Sequence, residues 1–277
     1  MIDTPRIVCD FPADFNALEI AKRAPGHLFS INSSEQEETM SILEWKKDGA
    51  VAIITMTNGE NRHNPDYTVA ILNAFDEIEK DETISSVIIA SNDAKNWSQG
   101  IDLQWLLTVF NNKDYQAIKD FMYGLNSIFK RMLLYPMPII AAINGHAFGD
   151  GAIMACACDF RFMKSSKGFF CFPEIDINIP FLPGMICLVK KAFPYYKVEE
   201  AVYMGKRYGA RELEEHHIIV KGCEDDEALM RETIAYARLF IKKRPIFGEM
   251  KRRYHKHIIE VMDKEDPGYI EPLKLMM

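Results

Sequence analysis

Apolar residues recur along this chain in short blocks set between longer stretches of helical spacing. The blocks Ala50 to Met56, Val87 to Ala90, Ile139 to Ile143 and Phe160 to Met163 read as strands. Between them, Val69, Leu72, Phe75 and Ile78 give Tyr67 to Lys80 a helical spacing, and Asn64-Pro65 ahead of it supplies an N-cap with proline in the first turn. Further helices are expected over Ile101 to Phe110, Tyr115 to Leu134, where Pro136 and Pro138 punctuate the end, Gly151 to Cys158, Asp225 to Lys242 and Ile246 to Met262. Strands alternating with helices indicate an α/β fold.

The first forty residues lack this regularity. They hold three prolines and the polar tract Asn32 to Thr39, so residues 1–39 are expected to form a loosely ordered extension and residues 40–277 the compact domain. With 33 Lys+Arg against 40 Asp+Glu the net charge is −7, which lacks the overall basic footprint of a nucleic-acid binder. No apolar run approaches the roughly 18 residues that span a bilayer, and the start shows no secretion signal. A cytoplasmic or organelle-matrix protein is expected. Six scattered cysteines read as reduced, small hydrophobes rather than a disulfide framework.

Two loops carry candidate chemistry. Gly100 in WSQGIDLQWL and Gly149 in INGHAFGDGAIMA each stand between a strand and a helix, where the following amides, beginning in the first turn with Ile101, are free to bind a negative oxygen. Two such turns make a plausible pair of oxyanion donors, although glycine turns before helices are also common on purely structural grounds. His216-His217 beside Glu214-Glu215 is not expected to bind metal, because adjacent histidines do not share a helix face.

NWSQGIDL, then PIIAAINGHAFGDGAIMACACDFRF, then FPEIDINIPFLPGM resemble, in order and spacing, the enoyl-CoA hydratase/isomerase family, the crotonases. The resemblance covers about Met40 to Met262 and implies a spiral of ββα units with a C-terminal helical trimerisation region. It implies an acyl-CoA thioester substrate, with coenzyme A as part of the substrate and no separate cofactor, a homotrimer or hexamer, and two backbone amides that hold an enolate. Those amides fall on Ile101 and Asp150. The second is a departure, since a glycine usually stands there. Its carboxylate is expected to turn outward beside the helix start, where negative charge is favoured; in the alternative it is itself an acid or base.

Hydratases of the family use two glutamates, and the first position is Ile153 here, which cannot move a proton. The second is kept as Glu174. One carboxylate suits a 1,3-proton shift, and the chain is most similar to the monofunctional Δ3,Δ2-enoyl-CoA isomerases. The partner aspartate of dienoyl-CoA isomerases falls on Leu182, which disfavours that chemistry. A weak hydratase, a hydrolase recruiting Asp150, and a catalytically silent scaffold stay open as alternatives. By the same resemblance Arg62, His63 and Lys251 are expected near the CoA nucleotide, Gly100 and Gly149 at the thioester, and Trp105 with Leu106, Phe110, Phe121, Met122 and Leu125 around the acyl chain, while His146 reads as a turn residue.

Overall fold

The structure, a computed structural model, describes residues 41–275; the expected extension over residues 1–39 lies outside them. In chain order the described residues begin with strands β1 (Leu43–Asp48), β2 (Val51–Met56) and the short β3 (Arg62–His63), followed by helix α1 (Pro65–Lys80). Asn64 caps α1 by accepting from the Tyr67 amide. Strands β4 (Ser86–Ser91), β5 (Asn96–Ser98) and β6 (Gly100–Ile101) lead to α2 (Leu103–Asn111) and α3 (Tyr115–Leu134). Next come β7 (Ile139–Ile143), β8 (His146–Phe148), α4 (Asp150–Ala157), β9 (Phe160–Lys164) and β10 (Phe170–Cys171), then a 3-10 turn over Pro173–Ile175. The remainder is mostly helical: α5 (Pro183–Ala192), α6 (Tyr195–Tyr203), β11 (Arg207–Tyr208), α7 (Ala210–Glu215), β12 (Lys221–Cys223), α8 (Asp226–Ala237), α9 (Arg244–Lys264) and α10 (Pro267–Ile270).

A six-stranded sheet of order β1-β2-β4-β7-β9-β12 forms the frame, parallel throughout except for the β1–β2 hairpin. Its central strands are apolar on both faces because both are covered. Ile54, Ile89 and Ala141 lie in register on the face packed by α1, α3, α4 and α5; Ile53, Ile88 and Ile140 lie on the other, against Leu229 and Ala237 of α8. The parallel pairing of β4, β7 and β9 brings the ends of successive strands to one edge. There a second sheet, β11-β10-β8-β5, and the two-stranded β3-β6 ribbon receive the chain.

The observed elements differ from the sequence expectation in two ways. The helix expected to reach Lys242 stops at Ala237, its last fully buried residue, beyond which Leu239 and Ile241 are exposed. Several strands of two or three residues appear that the apolar pattern does not predict, since so few residues show no period of their own. Cys156, Cys158, Cys171 and Cys223 are buried, as small hydrophobes would be.

Candidate active site

The two glycine turns meet. Gly100 has φ +75°, and a Cβ on it would lie 2.7 Å from the Phe148 carbonyl oxygen and 2.8 Å from the Asp150 amide nitrogen. Only glycine permits this conformation and this approach. The Asp102 amide donates to the His63 carbonyl, so His63 bonds to the ladder on either side of Ile101, and the Ile101 N–H points away from β3. Among the described residues the ribbon has only these two strands, which leaves that N–H on an unpaired edge.

Asp150 opens α4. Gly149, at φ +55° and ψ −128°, is its N-cap and offers no side-chain acceptor; the first intrahelical bond runs from the Ile153 amide to the Gly149 carbonyl. The amides of Asp150, Gly151 and Ala152 therefore have no partner within the helix. All eight residues of α4 are buried, and its C-terminal carbonyls are held by two basic side chains: half-buried Lys191 donates to Cys156 and Cys158, and buried Arg161 to Ala155 and Cys158. The helix is thus fixed at the end opposite the site, with its positive end directed at the turns.

Glu174 completes the group. Its Oε1 lies 3.3 Å from where a Gly149 Cβ would stand, so a side chain at 149 would press on the carboxyl. Glu174 is only half-buried as a residue, but its Oε2 is sealed from solvent with no hydrogen-bond partner among the described residues. Burial, with a smaller addition from charge on Asp150, pushes its pKa up to about 8. Phe172, fully buried and packed edge-on against Phe170, Phe181 and Phe193, holds the turn that carries it. Two turns with free amides and a carboxyl with a raised pKa lie side by side, an arrangement able to hold an oxyanion and move a proton beside it.

The enoyl-CoA hydratase/isomerase family model matches residues 46–266. The chain belongs to this family. It is 32% identical over 140 residues to peroxisomal enoyl-CoA delta isomerase 2 of Arabidopsis thaliana, a match that covers 48% of this chain and 57% of that one. It is 25% identical to Arabidopsis enoyl-CoA delta isomerase 3 over 79% of this chain and 94% of the relative, and 31% identical to a short-chain-enoyl-CoA hydratase of Clostridium acetobutylicum over 48% and 50%. The match to the first of these relatives thus spans little more than half of its length. Among solved structures, a probable enoyl-CoA hydratase of Mycobacterium tuberculosis superposes with a TM-score of 0.76 at 20% identity, covering 84% of this chain and 96% of that one. The crotonase fold is shared.

Within this crotonase frame the other expected residues fall as follows. Trp105 on α2 packs edge-on against Phe121 at 4.8 Å. None of the α2 residues is buried although most are apolar, whereas Phe121, Met122 and Leu125 are core. Arg62 is half-buried and paired with Glu60 at 2.7 Å. Lys251 is not a surface contact for a phosphate: it is 5% exposed, bonded to Asp159 at 2.7 Å and to the Met132 carbonyl at 2.9 Å.

His63 and Asp150 require the larger correction. Neither faces outward; both are buried, and His63 Nδ1 lies 2.6 Å from Asp150 Oδ2. His63 Nε2 lies 3.1 Å from Ser98 Oγ, and its ring stacks on Tyr67 at 4.3 Å. The carboxylate has turned away from solvent because the adjacent β3 ribbon offers it an imidazole. Nucleotide binding by His63, and an acid or base role for a free Asp150, do not fit this geometry. Sequence reasoning takes the two residues separately; the available signal is that both polar groups stand beside turns that pack on each other.

Proposed function

We propose that the chain is a Δ3,Δ2-enoyl-CoA isomerase. Glu174, as carboxylate, takes a proton from C2 of a 3-enoyl-CoA; the C2–H electron pair moves into a dienolate whose thioester oxygen is held by the Ile101 and Asp150 amides. Glu174, now the acid, returns the proton at C4, and the double bond comes to rest between C2 and C3. The observation that carries this reading is the single carboxyl of Glu174, brought to about 8 by burial beside the paired turns. A group that must act as base and then as acid works best near neutrality. Ile153, fully buried and apolar, stands where a hydratase would need its second carboxylate, which supports isomerisation over hydration.

Coenzyme A enters as part of the substrate, and the scheme asks for no further cofactor. The uncovered apolar α2, with Trp105, is assigned to the acyl chain. A homotrimer or hexamer belongs to the same reading, supported by Ile246, Met250 and Tyr254, which are exposed along one face of α9. Peroxisomal relatives in Arabidopsis support an organelle matrix as its place. The test is conversion of 3-hexenoyl-CoA to 2-hexenoyl-CoA set against hydration of 2-hexenoyl-CoA. Isomerisation should dominate, and Glu174→Gln should abolish it while CoA binding persists. Dominant hydration, or unchanged turnover in the variant, would refute the assignment.

A further inference from the structure

The buried chain Asp150–His63–Ser98–Asn61 runs directly behind the second oxyanion donor, and its hydrogen positions can be worked out. Ser98 has one O–H. Its Oγ lies 2.8 Å from the Asn61 carbonyl oxygen, 3.1 Å from His63 Nε2, and 3.1 Å from the Gly100 amide, which donates to it. The Asn61 carbonyl is a fixed acceptor: the residue is buried at φ +51°, and its side-chain amide is tied to Ser91 Oγ and the Trp97 carbonyl. If Ser98 donated to His63, two oxygens would face each other at 2.8 Å with no hydrogen between them. Donation to Asn61 satisfies all of these contacts, provided that His63 Nε2 carries a hydrogen.

A second hydrogen lies between His63 Nδ1 and Asp150 Oδ2, because at 2.6 Å two lone pairs would repel. A neutral imidazole and a carboxylate hold one such hydrogen between them. Two hydrogens make the pair uncharged, either as imidazolium with carboxylate or as imidazole with carboxylic acid. Asp150 Oδ1 is buried with no partner among the described residues, whereas a lone buried carboxylate gathers donors on both oxygens.

We infer that His63 is a positioning residue that keeps its pair with the Asp150 side chain uncharged behind the oxyanion turn. The inference rests on the isomerase reading for its consequence in catalysis and on geometry alone for the protonation state. It accounts for a carboxyl at a position where a bare negative charge would oppose the enolate. Besides Asp150 on α4 and Ser98 on β5, His63 meets Tyr67 of α1, and the nearby Glu174 carboxyl feels any charge left on Asp150.

The test joins a spectroscopic and a kinetic measurement on the full chain. In 15N-histidine-labelled protein at pH 7, the His63 resonance, assigned by its loss in His63→Gln, should show Nε2 protonated. The side-chain amide introduced by His63→Gln can still donate to Asp150 but cannot carry the second proton. The single variant should therefore lose at least about tenfold in kcat, with little change in KM and with the acid limb of its pH profile moved upward. His63→Gln/Asp150→Asn, an uncharged amide pair, should recover most of that loss and also supplies the assignment if the single variant does not fold. A bare Nε2 overturns the inference. So does wild-type turnover in His63→Gln, or a double variant as slow as the single one, which would make the role one of packing. Should the wild type not isomerise 3-enoyl-CoA at all, the proposed function fails while the ring nitrogens still report on the charge state.

Discussion

The pH dependence of kcat/KM gives the most direct measure of whether burial has tuned Glu174. In the proposed proton shift the base form is the reactive one, and without substrate its pKa is pushed up to about 8. With that value, about one molecule in ten is competent at pH 7 and about one in a hundred at pH 6. Initial rates of formation of the conjugated thioester, taken from about pH 5.5 to 9 at subsaturating 3-hexenoyl-CoA, should rise about tenfold per pH unit up to about pH 7 and level above about 8. Thermal unfolding supplies a check without substrate. A folded-state pKa raised above the usual 4.5 favours the folded state most below 4.5, and that stabilisation is lost as the pH rises through about 8. Wild type should therefore lose Tm relative to Glu174→Gln over this window. An acid limb in the ordinary carboxylate range, or parallel Tm curves for the two proteins, would refute the claim that Glu174 is desolvated before substrate binds.

Other substitutions test the supports of the site. Gly100→Ala forces a Cβ to within 2.8 Å of the Asp150 amide; kcat should fall by about 100-fold or more as the two donors are driven apart, and a milder loss would show that they are not a pair. Gly149→Ala combines a strained φ of +55° with pressure on Glu174, and should cost about 1–3 kcal/mol in urea unfolding together with a loss in kcat. Lys191→Met removes the donor to the Cys156 and Cys158 carbonyls and should lower stability by about 1–3 kcal/mol, read from the urea midpoint. Trp105→Ala should raise KM for 3-hexenoyl-CoA by about five- to tenfold with a smaller effect on kcat, if α2 lines the acyl chain.

The frame was legible because the physics that builds it is local. Val87 to Ala90 and Ile139 to Ile143 are buried on both faces of a parallel sheet, so their apolar runs are continuous, and the α3 limits, Tyr115 and Leu134, coincide with the spacing and the prolines that follow. The second sheet was not legible. Strands such as Phe170–Cys171 owe their conformation to the neighbour they pair with, in this case Ala147 and Phe148 of β8, and two residues carry no period. The resemblance singles out Glu174 by its place in the FPE step, but its sealed Oε2 follows from the packing of Phe172 and from the Gly149 turn, which lie apart in sequence.

His63 and Asp150 show why the remainder of the site escaped. The family resemblance puts the histidine near the CoA nucleotide, and an aspartate at a helix start suggests an exposed cap. Each inference assumes solvent on one side. In the fold the β3–β6 ribbon lays His63 against the start of α4, 87 residues away in sequence, and solvent is absent from both. Once water is removed, the rule that governs them is different: a buried carboxyl must find a proton or a donor. The nearest polar group able to supply either is the imidazole. The aspartate at the turn that opens α4 is therefore coupled to the histidine on β3, and neither residue can be interpreted energetically without the other. A crotonase chain with aspartate at this turn and an apolar residue at the histidine position should show the cost of an unpaired buried carboxyl, as a raised pKa or as lost stability.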